Sequence, residues 1–384
     1  MSLHPTTPPG ATSAIQLDER SLAADAAALA PMQRLMPLLA RARGRLGLRN
    51  DFASQSRRRW VLHPAEETPV PPAIYEPDDL ARITGVGEND RIEDELQRLA
   101  STTASHAPTM AYELHDVIFT RGHLFSSKMV YRLDTRPFPL VGRRAKTRMR
   151  EAVLSTSQYG IRYFGHWMTD DLTLTLAAQQ MGEPVSALLR PTPHQSQYVS
   201  LLDCAVPVHD DVWFDKLVIL DDYGQNDYKR RRYGALRDRA RVALGATTPP
   251  PGVMLLRGRT GADRVLLNEA EVAGALRARG YAILEPEALS ARELARACLD
   301  TPIVIGVEGS QLVHGISLMS PSGTLIELQP PARFNVLFRG RCACEGIRYA
   351  CQVGHARGRG TDFTIDLPAL ERLLDRIEAT AVPA

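Results

Sequence analysis

Residues 303–315 read IVIGVEGSQLVHG, and this stretch decides the fold. Its first four residues are typical of a short buried strand, and Gly309 and Ser310 then begin a helix. The segment from Thr324 to Leu328 supplies the next strand, with Glu327 near its end. A glycine lets a ligand approach the main chain closely, and the free N–H groups of a helix start attract an anion. Since a carboxylate at the end of the next strand can accept hydrogen bonds from a ribose, we expect a nucleotide site in an open α/β sheet.

The overall composition excludes several classes of protein. With 384 residues the chain predicts two domains or one large one, and 44% apolar with 23% charged residues is ordinary for a soluble globular protein. A net charge of +2 gives no reason to expect a nucleic-acid partner. No run of about 18 apolar residues occurs, and the N-terminus lacks a charged region followed by an apolar core. We therefore expect a cytoplasmic protein without a transmembrane segment, and leave peripheral membrane association and a homodimer open.

The cysteine pattern indicates free thiols. An odd number of cysteines in a long chain fits a reducing cytosol better than a disulfide framework. Three of them are close in sequence, but they lack the two-residue ligand spacing and the fourth ligand of a zinc site, and they fall in a predicted strand region. We therefore expect no metal site. The five positions are Cys204, Cys298, Cys342, Cys344 and Cys351.

The chain divides into three segments by pattern. Residues 1–105 are predicted to be an N-terminal extension, partly disordered between Met1 and Gly10 and helical from Asp25 to Leu48. Residues 106–248 alternate strand and helix patterns, and the same rhythm restarts at Pro249 and ends in a closing helix within residues 249–384. Two α/β halves joined by a proline-rich linker predict a cleft between them, where ligands preferentially bind.

An arginine-rich loop follows the first predicted strand of the second half. Arg257 comes directly after that strand, and Arg264 lies in the same loop. Arginines at the carboxyl end of a strand can bind a diphosphate bidentately, although a solvated loop is the simpler alternative. Asn268, with Glu271 three residues later, predicts a capped helix start.

A second group of reactive side chains lies at residues 164–171, which read FGHWMTDD. His166 and Asp170 are four residues apart and therefore share one face of a helix, while Asp171 occupies a neighbouring face. A carboxylate fixes the tautomer of an imidazole and raises its basicity, which gives a general base for a hydroxyl nucleophile. The alternative is a local pair at a helix start. A basic run from Tyr228 to Arg241 is predicted to be the solvated face of another helix.

Together these segments resemble glycosyltransferase family 61 from about Ala111 to Ala356. The resemblance is carried by YFGHWMTD at 163–170, by Arg257 and Arg264 with NEAEV at 268–272, by the turn at 306–310, and by IEL at 326–328. Eukaryotic relatives usually have His-Gly-Ala where this chain has Glu-Gly-Ser at 308–310, so the chain is identified as a bacterial-type member. A carboxylate beside a diphosphate is unfavourable unless it pairs with an arginine or contacts sugar hydroxyls.

The resemblance implies an α/β, GT-B-like architecture with two Rossmann-like domains facing a cleft and an N-terminal extension. Residues 106–248 would form the acceptor side, and residues 249–384 would bind the nucleotide-sugar donor. The implied activity is an inverting, metal-independent glycosyltransferase that moves a sugar to a hydroxyl of a glycan or of a capsular or cell-surface polysaccharide precursor. No cofactor is implied beyond the nucleotide sugar, which serves as donor substrate.

The resemblance also implies roles for individual residues. The catalytic candidates are His166, Asp170 and Asp171, and the donor-binding candidates are Arg257, Arg264, Glu308, Gly309, Ser310 and Glu327, of which Glu327 would bind the ribose. Two other classes stay open: a polysaccharide pyruvyltransferase-like enzyme that uses phosphoenolpyruvate, and a non-catalytic assembly subunit. A dehydrogenase is disfavoured because no Gly-x-Gly-x-x-Gly motif follows a predicted strand.

Overall fold

The computed structural model describes residues 34–87, 90–258, 264–358 and 360–380. The Pro- and Thr-rich start and the first part of the predicted helix from Asp25 therefore lie outside the described residues. A seven-stranded sheet and a five-stranded sheet form the body of the protein, with helices packed on both. The mixed α/β class predicted from sequence is confirmed. None of the helices formed by the described residues is both long and apolar enough to cross a membrane.

The described strands are mostly short, as is usual in α/β proteins. In chain order they are β1 (Arg58–His63), β2 (Glu66–Pro69), β3 (Thr103–His106), β4 (Thr109–Thr120), β5 (His123–Phe125), β6 (Val130–Arg132), β7 (Thr147–Leu154), β8 (Pro184–Val185), β9 (Val212–Asp221), β10 (Val253–Leu255), β11 (Ala282–Leu284), β12 (Ile303–Val307), β13 (Thr324–Gln329), β14 (Arg348–Val353), β15 (His355–Ala356) and β16 (Phe363–Thr364).

The described helices connect and cover these strands. They are α1 (34–45), α2 (Phe52–Gln55), α3 (Ile92–Ala100), α4 (Gln158–Arg162), α5 (Phe164–His166), α6 (Leu172–Met181), α7 (Pro193–Leu201), α8 (Asp227–Leu244), α9 (Glu269–Ala278), α10 (Ala291–Cys298), α11 (Val313–Ile316), α12 (Leu337–Glu345) and α13 (Leu367–Glu378).

The first sheet is mixed. Its order is β6-β5-β4-β9-β7-β8, with β1 added beside β4. Strands β4 and β9 are antiparallel, whereas β7 runs parallel to both β9 and β8. A turn at Arg121 and Gly122, both with positive φ, connects β4 to β5. Strand β5 pairs with β4 on one side and with β6 on the other.

The second sheet is entirely parallel and has the order β11-β10-β12-β13-β14. Numbered along the chain, its strands are arranged 2-1-3-4-5, so the sheet reverses its direction of growth between β10 and β12. In open α/β sheets, ligands bind outside the carboxyl ends of the strands at such a switch point. The strand predicted from Ile303 is confirmed as β12, and all five of its residues are buried.

Part of the predicted N-terminal extension belongs to the folded body. Strand β1 pairs with β4, where Trp60 lies opposite Ala111, and Ile74 bridges to Ala350 of β14. The two halves also share a hydrophobic core, since one cluster contains Leu236 of α8 and Leu312 beside α11. Residues 58–74 and both sheets are thus held together by direct contacts.

Two local expectations are wrong, and a third holds only in part. Cys342 and Cys344 lie in helix α12 rather than in a strand, because the segment ends at Gly346, whose left-handed conformation (φ 79°) closes a helix. Asn268 stands at the start of α9, but its side chain bonds the main chain of Ile365 and forms no cap. The basic run of α8 is solvated only in part: Arg230, Arg231 and Arg241 are exposed, whereas Lys229, Arg232 and Arg237 are buried and pair with buried carboxylates.

Candidate functional site

A cleft of about 740 Å³ opens at the switch point of the second sheet. This volume lies within the range of small-molecule and cofactor sites. Helix α5 and the turn that follows it form one wall. The loops after β10, β12 and β13 form the others. Seven of the residues selected from sequence line the cleft: His166, Asp170, Arg257, Arg264, Glu308, Gly309 and Ser310.

Arg257 is held against the turn that follows β12. One guanidinium nitrogen, Nη1, donates to the carbonyl oxygen of Glu308 at 3.0 Å and to Oε1 of Gln311 at 3.2 Å. Gly309 makes this approach possible, because its φ of +152° suits glycine and a Cβ at this position would collide with the Arg257 guanidinium. Gly309, which was predicted to let a ligand approach the main chain, therefore lets the Arg257 side chain approach it.

Arg264 pairs with Glu308. Its Nη1 contacts the Glu308 carboxylate and also donates to the Glu308 carbonyl oxygen at 3.2 Å. Only 8% of the Arg264 side chain and 14% of the Glu308 side chain are exposed. Pairing with an arginine is one of the two arrangements in which a carboxylate is tolerated beside a diphosphate.

Arg333 is a third cleft arginine that sequence reasoning missed. It closes the short 3-10 turn after β13, and its Nε has no hydrogen-bond partner among the described residues. Burial and the positive charges of Arg257 and Arg333 lower the pKa of Arg264 to about 9, and burial and Arg333 lower the pKa of Arg257. Three neighbouring guanidinium groups therefore make the cleft favourable for an anion. The signal available in sequence was the position of Arg333 just beyond a predicted strand.

The opposite wall contains a π-helical turn, Trp167–Asp171, between α5 and α6. Such turns are rare and occur frequently at functional sites. His166 Nδ1 lies 2.8 Å from Asp170 Oδ2. Because a carboxylate accepts here, Nδ1 carries the proton, and the lone pair is on Nε2. The His166 side chain is 33% exposed and lines the cleft, as a base that meets a substrate must.

Lys229 of α8 is the second partner of the Asp170 carboxylate. Its Nζ donates to Asp170 Oδ1 at 2.7 Å and to the carbonyl oxygen of Asp222 at 2.7 Å, and its side chain is fully buried. Burial alone would raise the pKa of Asp170, but the charge of Lys229 and the hydrogen bonds from His166 and Lys229 outweigh it and hold that pKa below its usual value. Asp170 is therefore ionised at neutral pH. Sequence gave no signal for Lys229, which lies 59 residues from Asp170.

The two walls meet at Gly165 and Ser310. A Cβ at position 165 would lie 3.1 Å from the Ser310 hydroxyl oxygen, so the glycine allows this close approach. His314, one turn further along, hydrogen-bonds the Tyr198 hydroxyl at 2.9 Å rather than Ser310. The segment that decided the fold therefore contacts the helix that carries His166.

Asp171 does not reach the cleft. Its Oδ1 accepts a hydrogen bond from the Ser157 main chain at 3.0 Å, and only 3% of the residue is exposed. Gly160 leaves room for this carboxylate, since a Cβ there would overlap it. Burial raises the pKa of Asp171 well above its usual value. The Asp171 carboxylate therefore packs against the start of α4 and does not line the cleft.

Glu327 is also outside the cleft. It lies in β13 opposite Gly306 and is fully buried. The Tyr349 hydroxyl donates to it at 2.5 Å and Gln329 Nε2 donates at 3.1 Å. Burial raises the pKa of Glu327 to about 8, so the neutral acid predominates at pH 7. Glu327 does not line the cleft in this structure.

The five cysteines are free and buried. In the part of the chain that the structure describes, no group of three or more histidine, cysteine, aspartate and glutamate side chains is arranged to hold a metal ion.

The parallel sheet and the arginine-lined cleft at its switch point define an α/β protein with an anion-attracting site. Comparison with known families then gives its kind: residues 164–326 match the family model described as Glycosyltransferase 61. This segment is a glycosyltransferase 61 domain and supports glycosyltransferase activity, and the resemblance found in sequence is confirmed. His166, Arg264 and Ser310 lie inside the matched segment, which ends one residue before Glu327. No curated protein matches the chain.

Proposed function

We propose that the cleft transfers a sugar from a nucleotide-sugar donor to a hydroxyl of a glycan, or of a capsular or cell-surface polysaccharide precursor, with inversion at the anomeric carbon and without a divalent metal. The observation that carries this proposal is the shared cleft, where a histidine–carboxylate pair faces three arginines. Residues 106–248 would then be the acceptor side and residues 249–384 the donor side of a GT-B-like architecture. The reduced cysteines support a cytoplasmic location.

The donor diphosphate binds the arginines in this proposal. Arg257, Arg264 and Arg333 present guanidinium groups that match phosphate oxygens bidentately. Negative charge grows on the diphosphate as it leaves, and preorganised cations near that charge stabilise the transition state. The arginines thereby supply the charge stabilisation that a metal ion supplies in other transferases. Glu308, paired with Arg264, keeps that arginine aligned and has a carboxylate oxygen available to a donor-sugar hydroxyl.

The acceptor hydroxyl approaches His166. Nε2 accepts the hydroxyl proton while the hydroxyl oxygen attacks the anomeric carbon from the face opposite the diphosphate. The new C–O bond forms, the bond to the diphosphate breaks, and the proton remains on the imidazole until solvent removes it. Asp170 stabilises the imidazolium, and Lys229 keeps Asp170 ionised.

A transfer assay with UDP-, GDP- and dTDP-sugars tests this proposal, run with and without EDTA. We expect one donor class to be consumed at the same rate in EDTA, and NMR of the product to show an inverted anomeric configuration. Donor binding by calorimetry should weaken in Arg264→Gln but not in Arg279→Gln, whose side chain pairs with Asp375 and Glu378. If no nucleotide or nucleotide sugar binds, the proposal fails. Binding of phosphoenolpyruvate instead would favour pyruvyl transfer.

A further inference from the structure

The exposed aromatic side chains of this protein all lie around His166. The chain has 11 tyrosines, nine phenylalanines and three tryptophans, every one of them in the described part of the sequence. Only three are exposed: Tyr159 at 45%, Tyr163 at 55% and Tyr223 at 43%. An aromatic side chain stabilises the fold most when it is buried in the core. A cluster of exposed aromatic side chains therefore indicates a binding site.

These three tyrosines and His166 form a row, which we call the tyrosine row. The centroid of Tyr159 lies 5.8 Å from that of Tyr223 and 5.2 Å from that of His166. The centroid of Tyr163 lies 6.1 Å from that of His166 on the other flank. Each step is comparable to the length of one sugar unit in a polysaccharide chain. Tyr163 and Tyr223 line the cleft itself.

The rings are presented by fixed elements. Tyr159 lies in α4, Tyr163 lies between α4 and α5, and the Tyr163 main-chain N–H donates to the Tyr159 carbonyl oxygen at 2.9 Å. Burial and the nearby phenol of Tyr131 raise the pKa of Tyr223 above its usual value, while the residue as a whole remains 43% exposed. The hydroxyls of Tyr159 and Tyr163 form no hydrogen bond with the residues that the structure describes. Neither hydroxyl explains the position of its ring.

We propose that the tyrosine row is the acceptor subsite and that it binds an oligosaccharide, whose sugar rings stack their C–H faces on the tyrosines. This inference rests on the proposed sugar transfer, because it assigns the acceptor of the same cleft. The row flanks the base on the wall opposite the arginines, so a sugar stacked on it presents a hydroxyl to His166 Nε2. A chain that covers more than one ring gains contacts with each added unit, so the acceptor is longer than a single sugar.

Saturation-transfer NMR tests the row with mono- to tetrasaccharides of the cello-, xylo-, manno- and chito- series. Saturating the aromatic protons of the wild-type protein should transfer signal to the C–H protons of the sugar rings, and affinity should rise with chain length. Tyr163→Ala should weaken the tightest of these ligands about tenfold or more, as loss of one aromatic stacking partner does. Tyr163→Phe keeps the ring face and should bind like the wild type. If Phe is as harmful as Ala, or no member of the panel binds, stacking on the row is refuted.

Nucleotide titration of the same variants separates this proposal from the sugar transfer on which it rests. UDP, GDP and dTDP should bind Tyr163→Ala as they bind the wild type, because the arginines lie on the other wall. Loss of nucleotide binding in that variant would assign the row to the nucleobase and overturn the acceptor subsite. If oligosaccharides bind through the row but no nucleotide binds, the row is an oligosaccharide site, but the proposed sugar transfer fails and with it the assignment of the row to an acceptor.

Discussion

Lys229 and His166 bind different oxygens of the same carboxylate, Asp170, at 2.7 Å and 2.8 Å. The Lys229 side chain is fully buried and the His166 side chain is one-third exposed. Asp170 therefore links the buried ammonium group to the imidazole at the cleft surface. The charge of Lys229 and the hydrogen bonds from both partners keep the pKa of this buried carboxylate below its usual value, so the carboxylate is ionised. The reactivity proposed for His166 therefore depends on a residue that no substrate touches.

Lys229→Met should destabilise the protein and impair His166. Removing one member of a buried pair costs about 3–5 kcal/mol, since the other charge is left uncompensated. The pKa of Asp170 should rise in this variant. Urea denaturation measures the loss, and Lys216→Met is the matched control because Lys216 pairs with Glu151 at the surface, where such pairs contribute about 0–1 kcal/mol.

The double variant Lys229→Met/Asp170→Asn should recover part of that stability, because it leaves no unpaired charge. It should not recover sugar transfer, because an amide cannot stabilise an imidazolium as a carboxylate does. Equal instability of the single and double variants would show that the charge pair is not the cause.

Glu327 should make stability decrease as pH rises. Its pKa in the folded protein, about 8, lies above the unfolded value, so the folded state holds a proton that the unfolded state has lost. The stabilisation from this group is complete below about pH 4.3 and is lost as pH rises toward 8, at about 1.4 kcal/mol per pH unit. Glu327→Gln should therefore gain stability relative to the wild type between pH 5 and 8, measured by urea unfolding. Glu93→Gln, at a side chain 74% exposed, should show no such trend.

Gly309→Ala should disable nucleotide binding. A side chain at this position meets the Arg257 guanidinium, and a φ of +152° is strained for alanine, at a cost of about 1–3 kcal/mol. Calorimetry with the preferred nucleotide should show weakened binding. Gly274→Ala is the control: this glycine lies inside α9 with open space around it, so alanine should stabilise the helix by about 0.5–1 kcal/mol. Unchanged binding in Gly309→Ala would place the phosphate elsewhere.

Arg333→Gln should weaken nucleotide binding as strongly as Arg264→Gln. Losing one partner of a desolvated charge pair costs about 2–5 kcal/mol, or about 30-fold or more in affinity. The effect on the acceptor should be small, because the arginine lies on the donor wall. A nucleotide affinity equal to that of the wild type would exclude Arg333 from the donor site.

The second sheet was largely predictable from sequence. Strand β12 was found because a continuous apolar run is a local signal. The loop with Arg257 and Arg264 was selected because it directly follows the predicted strand β10, which is also a local signal. Arg259 and Thr260 of that loop lie outside the described residues.

The positions that sequence did not predict depend on contacts between residues far apart in the chain. Glu327 was expected at the ribose, whereas the structure places it in β13, a central strand whose six residues are all buried, and it does not line the cleft. Lys229 was assigned to solvent because a cation in a basic run usually is, and only the tertiary structure brings Asp170 to it. The tyrosine row joins α4 with the loop after β9, two segments that nothing in sequence connects.

The transfer rate of His166→Asn tests the central claim most directly. His115→Asn is the matched control, because His115 is also about one-third exposed and also paired with a carboxylate, that of Glu113, but lies outside the cleft. We predict that His166→Asn lowers kcat by about 10²–10⁴-fold, the usual contribution of a general base, while nucleotide affinity and the activity of His115→Asn stay at the wild-type level. A kcat for His166→Asn equal to that of the control would contradict the account.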